Sequence, residues 1–118
     1  MRDDKDNLIV QLTFNLSLKI ISFCEELEAL KRYPLANQLF RSGTSIGANT
    51  WESQNAESKA DFIHKLKIAA KEADETKYWL LLCEKSESYP HRIELKEDLD
   101  VIIKILSKII SSSKNKTI

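Results

Sequence analysis

Few residues in this chain have the types and spacing that ligation or catalysis requires. Asp61-Phe62-Ile63-His64 sets a carboxylate and an imidazole three positions apart, which a helix would place on one face. A carboxylate-bridged dimetal site in a bundle needs a Glu on each of two helices and Glu-x-x-His on the other two. The only other histidine, His91, forms no such unit. His64 also falls on the polar side of its segment, so a solvated imidazole is expected, with no metal and no cofactor. Cys24 and Cys83 form no Cys-x-x-Cys pair and sit at the margins of apolar stripes, where packed, neutral thiols are expected. Ser42-Gly43-Thr44-Ser45-Ile46-Gly47-Ala48 has the glycines of a phosphate-binding loop, but no preceding strand and no Gly-Lys-[Ser/Thr] ending. No strained elbow or oxyanion loop supports a serine nucleophile. These residues point away from an enzyme, with a small-molecule or metal-dependent one, built on a pocket of inward carboxylates around His64, as the remaining alternative.

Charge is the other chemistry available. The 18 Lys and Arg balance the 18 Asp and Glu, so the net charge is zero and no global field draws the chain to a polyanion. Locally the balance fails. Lys59, Lys65, Lys67 and Lys71, with His64, are opposed in their stretch only by Asp61. Lys104, Lys108, Lys114 and Lys116 close the chain with no later carboxylate. Such stripes neutralise phosphates, so Lys59, Lys65, Lys67 and Lys71 are the candidate nucleic-acid contacts. The carboxylates Glu72, Asp74 and Glu75, and Glu94, Glu97, Asp98 and Asp100, fit solvated helix faces. Helical geometry sets Lys77 and Glu84 near the centre of a buried stripe; they are expected to reach water at the bundle end, with a buried polar network as the alternative.

Four segments must position these groups. With 15 Leu and 13 Ile against two Val, two Gly and two Pro, the composition excludes a sandwich or barrel and predicts an all-α fold. In the first segment, about 7 to 32, Ile9, Leu12, Leu16, Ile20, Phe23, Leu27 and Leu30 recur at helical spacing after a cap at Asp6 or Asn7. Pro34 ends it and suits the first turn of the second, 34 to 53, which carries Leu35, Leu39, Ser42, Ile46 and Ser53. The small-residue run through Gly43 and Gly47 reads as helix kept for close approach, with a loop as the alternative. Ser58 caps the third segment, 58 to 86, with Phe62, Leu66, Ala69, Ala73, Thr76, Leu80 and Cys83 on its stripe. The fourth, 90 to 112, carries Leu95, Leu99, Ile102, Leu106 and Ile109, and a polar tail over 113 to 118 should fray. Short connections make this one domain, an antiparallel up-down four-helix bundle.

The first helix carries more apolar residues than one stripe requires. Val10, Phe14, Leu18 and Ile21 lie opposite its core stripe, and Trp79 and Leu82 project from the third. These six residues predict a subunit interface. No apolar run reaches the roughly 18–20 residues of a spanning helix, and the charged start of the chain lacks a signal-peptide pattern, so no membrane contact and a cytoplasmic location with reduced thiols are expected.

Arg41-Ser42-Gly43-Thr44-Ser45-Ile46-Gly47-Ala48-Asn49, then Glu52-Ser53, Ala60 through Ala69, and Lys71-Glu72-Ala73-Asp74-Glu75-Thr76-Lys77-Tyr78-Trp79-Leu80 together resemble the bacterial four helix bundle proteins of the 23S rRNA intervening-sequence type. The resemblance covers Leu8 to Ile110 and is specific across residues 41 to 82. It implies a bundle with a helical glycine segment. Such proteins look similar to the accessory protein of diversity-generating retroelements, a barrel-like pentamer that binds nucleic acid and a reverse transcriptase. The resemblance therefore implies a homopentamer with an RNA or nucleoprotein partner, no small-molecule substrate and no catalytic residues. The accessory protein is strongly basic whereas this chain is neutral, which keeps a protein-interaction scaffold without nucleic acid as the competing reading.

Overall fold

The computed structural model describes the backbone of residues 7–115. Four helices are present: α1 (Leu8–Ala29), α2 (Tyr33–Ser53), α3 (Lys59–Lys85) and α4 (Ile93–Asn115). Each packs on its neighbours in the chain, α1 also packs on α4, and the diagonal pairs do not approach closely at the backbone. The result is an up-down bundle, 53 × 22 × 21 Å, with no strand among the described residues.

Local chemistry sets the ends. Asn7 accepts from the Val10 amide and caps α1; the other candidate, Asp6, lies outside the described residues. The end of α1 comes at Ala29, earlier than Pro34 requires, because Lys31 turns left-handed at φ 62°. Its N–H donates to the Glu28 carbonyl, and the Arg32 N–H to that of Leu27, both at 2.8 Å. This is a Schellman closure with lysine where glycine is favoured. Leu30, expected in the core stripe, is consequently the exposed C-cap. Pro34 sits in the first turn of α2, as its missing N–H favours. Ser58 Oγ accepts from the Asp61 amide at 3.0 Å, and Asp61 Oδ2 accepts from the Glu57 amide, anchoring the start of α3. Ser113 to Asn115, expected to fray, continue α4, and residues 116–118 lie outside the described residues.

The stripes close over one core. Leu16, Ile20, Phe23 and Leu27 meet Leu39, Ile46, Leu66, Leu95, Leu99 and Leu106, all essentially without exposure. Burying each such side chain stabilises by about 1.5–3 kcal/mol relative to leaving it in water. The glycine segment is helical throughout. A Cβ at Gly43 would stand 2.9 Å from the Ile20 side chain, and one at Gly47 would stand 2.9 Å from Ser17 Oγ and 3.1 Å from the Thr13 carbonyl oxygen. Glycine thus sets the closeness of α1 to α2. Between α2 and α3, the buried Ser42 and Thr76 hydroxyls hydrogen-bond at 2.9 Å, and Thr76 also donates to the Glu72 carbonyl.

Val10 departs from its expected outward position: it is only 3% exposed. Because α1 packs on both α2 and α4, its buried arc is wider than one stripe, and Val10, Thr13 and Cys24 fill the additional part. Burial pushes both thiols, Cys24 and Cys83, up to about 11, so they are neutral at physiological pH.

Candidate assembly and nucleic-acid surfaces

The outer side of the α1–α2 pair is an apolar seam. Phe14 and Leu18 are 53% and 52% exposed, and Ile21 is 37% exposed. Two residues of α2 join them that the stripe analysis did not single out, Phe40 and Trp51, both about half exposed. Their signal is present in the sequence: Phe40, Thr44, Gly47 and Trp51 follow one another at steps of four, three and four, a single helical face. Phe14, Ser17 and Ile21 face Thr44, Gly47 and Trp51 across an open groove of about 340 Å³, lined also by Val10. A second hollow of about 400 Å³ continues along Ile21, Cys24 and Phe40 between the acidic Glu25 and Glu28.

The α3 side is different. Leu82 is exposed as expected, beside exposed Leu81 and Tyr78. Trp79 is corrected: it is half-buried against the core rather than projecting. Its indole Nε1 donates to Glu75 Oε2 at 3.0 Å, and its ring meets Tyr78 edge-on at 5.2 Å. Arg41 of α2 donates to Glu72 at 3.2 Å and to Glu75 as well. The acidic cluster therefore ties α2 to α3 through Arg41, while Trp79 braces Glu75 within α3.

Ion pairs partition the α3–α4 side into two ends. Toward the C-terminus of α3, Lys77 pairs with Asp100 at 3.3 Å and Glu84 with Lys96 at 3.6 Å. The Lys96 charge, chiefly, holds the Glu84 carboxyl below its usual value. Both residues reach water, and no buried polar network forms around them. Lys19 of α1 pairs with Asp98 at 2.7 Å, which raises its ammonium above the usual lysine value.

At the other end the lysines are matched less fully. Of the four candidate lysines, Lys65 turns toward α2 and donates to Glu52 at 2.9 Å, and that hydrogen bond raises its pKa. Lys59 is exposed at the start of α3. The Lys114 ammonium holds Lys67 below the usual lysine value. Lys71, one turn on, is exposed, as are Lys104 and Lys108 on α4, and none of these three has an ion pair among the described residues. Of the C-terminal lysines, which the sequence leaves unbalanced, antiparallel packing of α4 on α3 brings Lys114 toward Lys67, and Lys116 lies outside the described residues. The four candidate lysines are thus divided: Lys65 is paired with Glu52 of α2, Lys67 is near Lys114 of α4, and Lys59 and Lys71 are exposed on α3.

His64 is exposed, and no three metal-ligating side chains converge among the described residues. α1 corrects a further expectation. By length and composition it is apolar enough to cross a membrane, with a mean hydropathy of 1.4 over its best window. Gln11, Thr13, Asn15 and Ser17 interrupt it without charge, and its first charged residue is Lys19. In the bundle that apolarity is divided between the core and the exposed seam.

Fold and surfaces define an all-α up-down bundle whose distinctive features are two faces rather than a cleft. Residues 5–108 match the family described as 23S rRNA-intervening sequence protein, and the chain belongs to that family. It is similar to a solved structure from Bacteroides thetaiotaomicron VPI-5482, described as a protein with unknown function from the S23 ribosomal protein family. The two are 38% identical with a TM-score of 0.82, over 86% of this chain and 97% of that one. A search of curated proteins gives no match.

Proposed function

We propose that this protein is a non-enzymatic, self-assembling bundle of the cytoplasm that binds structured RNA or a nucleoprotein through phosphate contacts. The observation that carries the reading is the division of its surface, with an apolar seam on α1–α2 and an unmatched lysine field on α3–α4. The seam supports assembly, because Phe14, Leu18, Ile21, Phe40 and Trp51 exceed the scatter expected on a monomer. A second apolar patch at Tyr78, Leu81 and Leu82 lies on a different face. Joining unlike patches makes a head-to-tail contact, which closes into a ring when the rotation permits. Five members is what the family resemblance implies. Each subunit then contributes one lysine field, and the array converts weak single contacts into useful avidity.

Assembly is tested by light scattering. Phe14→Glu with Leu18→Glu should yield smaller particles that remain helical, because charge would be forced into a desolvated contact. A wild-type particle of 13.6 kDa at high micromolar concentration would overturn the reading.

One observation favours the second reading, a scaffold that contacts only protein. Net charge is zero, and Lys19, Lys65, Lys77 and Lys96 are all held in ion pairs. Absence of RNA binding at low salt would select it.

A further inference from the structure

The α1–α2 groove and the outer edge of α3 are complementary in charge as well as in polarity. No charged side chain lines the groove of about 340 Å³ at Phe14, Ser17, Thr44 and Gly47. Its extension past Ile21 and Phe40 ends on Glu25 and Glu28, with no basic side chain in its lining. Neither carboxylate has an ion pair among the described residues. On α3, Tyr78, Leu81, Leu82 and Lys85 stand at i, i+3, i+4 and i+7 and are all exposed, an apolar ridge with a cation at its C-terminal end. The Lys85 side chain is 72% exposed, and Glu84, the acid it meets, is shared with Lys96. Asp74, one turn before Tyr78, is exposed at the opposite end of the ridge. Within one subunit α3 does not approach α1 closely at the backbone, so a copy cannot fill its own groove.

We infer that the α3 ridge of one copy docks in the α1–α2 groove of the next, running parallel to α1 of that copy and delivering Lys85 to its Glu25 and Glu28. The docking rests on the self-assembly reading above and gives it a register. Charge sets the direction. Asp74 and Lys85 are roughly 16 Å apart along α3, and Asn15 and Glu25 roughly 15 Å apart along α1. Parallel docking therefore sets Lys85 on the two carboxylates and Asp74 beside the uncharged Gln11 and Asn15 at the other end of the seam. The reverse direction would bring Asp74 to Glu25 and Glu28, and like charges across a contact suppress it. In an up-down bundle α1 and α3 run the same way, so parallel docking keeps every copy pointing in one direction, side by side. The apolar ridge supplies the affinity, and the charges at its ends select the orientation.

The test uses the full chain, with association read by sedimentation velocity and helicity by circular dichroism. Lys85→Glu should weaken association by about tenfold or more at low salt, and so should Glu25→Lys with Glu28→Lys. Combining all three should restore it, because the charges are then exchanged rather than lost. A mixture tests the two surfaces directly. Phe14→Glu with Leu18→Glu spoils the groove and spares the ridge, while Leu81→Glu with Leu82→Glu does the reverse. Each variant alone should be monomeric, and the two together should form a one-to-one dimer, since the pair retains one intact ridge and one intact groove. If wild type assembles while the mixture stays monomeric, or while the charge reversals leave association unchanged, the docking is overturned and self-assembly stands through another contact. A wild-type monomer removes both, with the groove open to a different protein.

Discussion

Gly47 of α2 lies so close to Ser17 of α1 that a single added carbon would stand 2.9 Å from the serine hydroxyl. Behind that hydroxyl is the Thr13 carbonyl, 3.1 Å from the same point and itself the acceptor of the Ser17 hydrogen bond at 3.0 Å. The hydroxyl is the end of a side chain, but the carbonyl belongs to the backbone of α1. The helix pair is therefore spaced by a residue that has no side chain, and the floor of the apolar groove is formed at the same place.

Gly47→Ala should destabilise the bundle by about 1 kcal/mol. Alanine gains about 1 kcal/mol in helix propensity, and overpacking costs about 1–3 kcal/mol against it. Adding Ser17→Ala removes the softer of the two clashes and should recover part of the loss. Urea denaturation midpoints of the single and double variants measure this, and a more stable Gly47→Ala would show that α1 and α2 are free to separate.

The Ser42–Thr76 pair gives a second outcome. Thr76→Val removes the partner of a fully buried hydroxyl and should cost about 1–3 kcal/mol. Ser42→Ala with Thr76→Val should cost less than the sum of the single changes, since neither polar group is then left stranded. A double-mutant cycle by chemical denaturation reads the coupling directly.

Lys31 predicts a gain. Its left-handed conformation is strained by about 1 kcal/mol for a residue with a Cβ. Lys31→Gly should therefore stabilise the protein by a few tenths to about 1 kcal/mol, less the added entropy of glycine in the unfolded chain. Thermal unfolding with a raised Tm and unchanged helicity is the expected result.

Much of this arrangement is legible in residue spacing. The four apolar stripes, the small-residue contact, Pro34 and the Ser58 cap are local signals, and local signals determine where helices form and which side turns inward. The end of α1 was less legible, because a Schellman turn built on Lys31 carries no glycine to mark it. Val10 and Trp79 show a deeper limit. Periodicity gives the angle of a side chain about its own helix, but its burial depends on which helix lies beside it. The same limit separates Lys65 from Lys67. They are two positions apart in sequence, yet one faces Glu52 of α2 and the other Lys114 of α4. Phe40 and Trp51 were legible in spacing, and were masked by a glycine-rich neighbourhood that draws attention to the interior of α2.

Sedimentation velocity of the native protein with a labelled structured RNA, at low and then physiological salt, reads self-assembly and RNA binding in one experiment. Protein should sediment as a multiple of 13.6 kDa and carry the RNA with it at low salt, with the RNA progressively released as salt rises. Protein at 13.6 kDa with RNA sedimenting alone at low salt would contradict both.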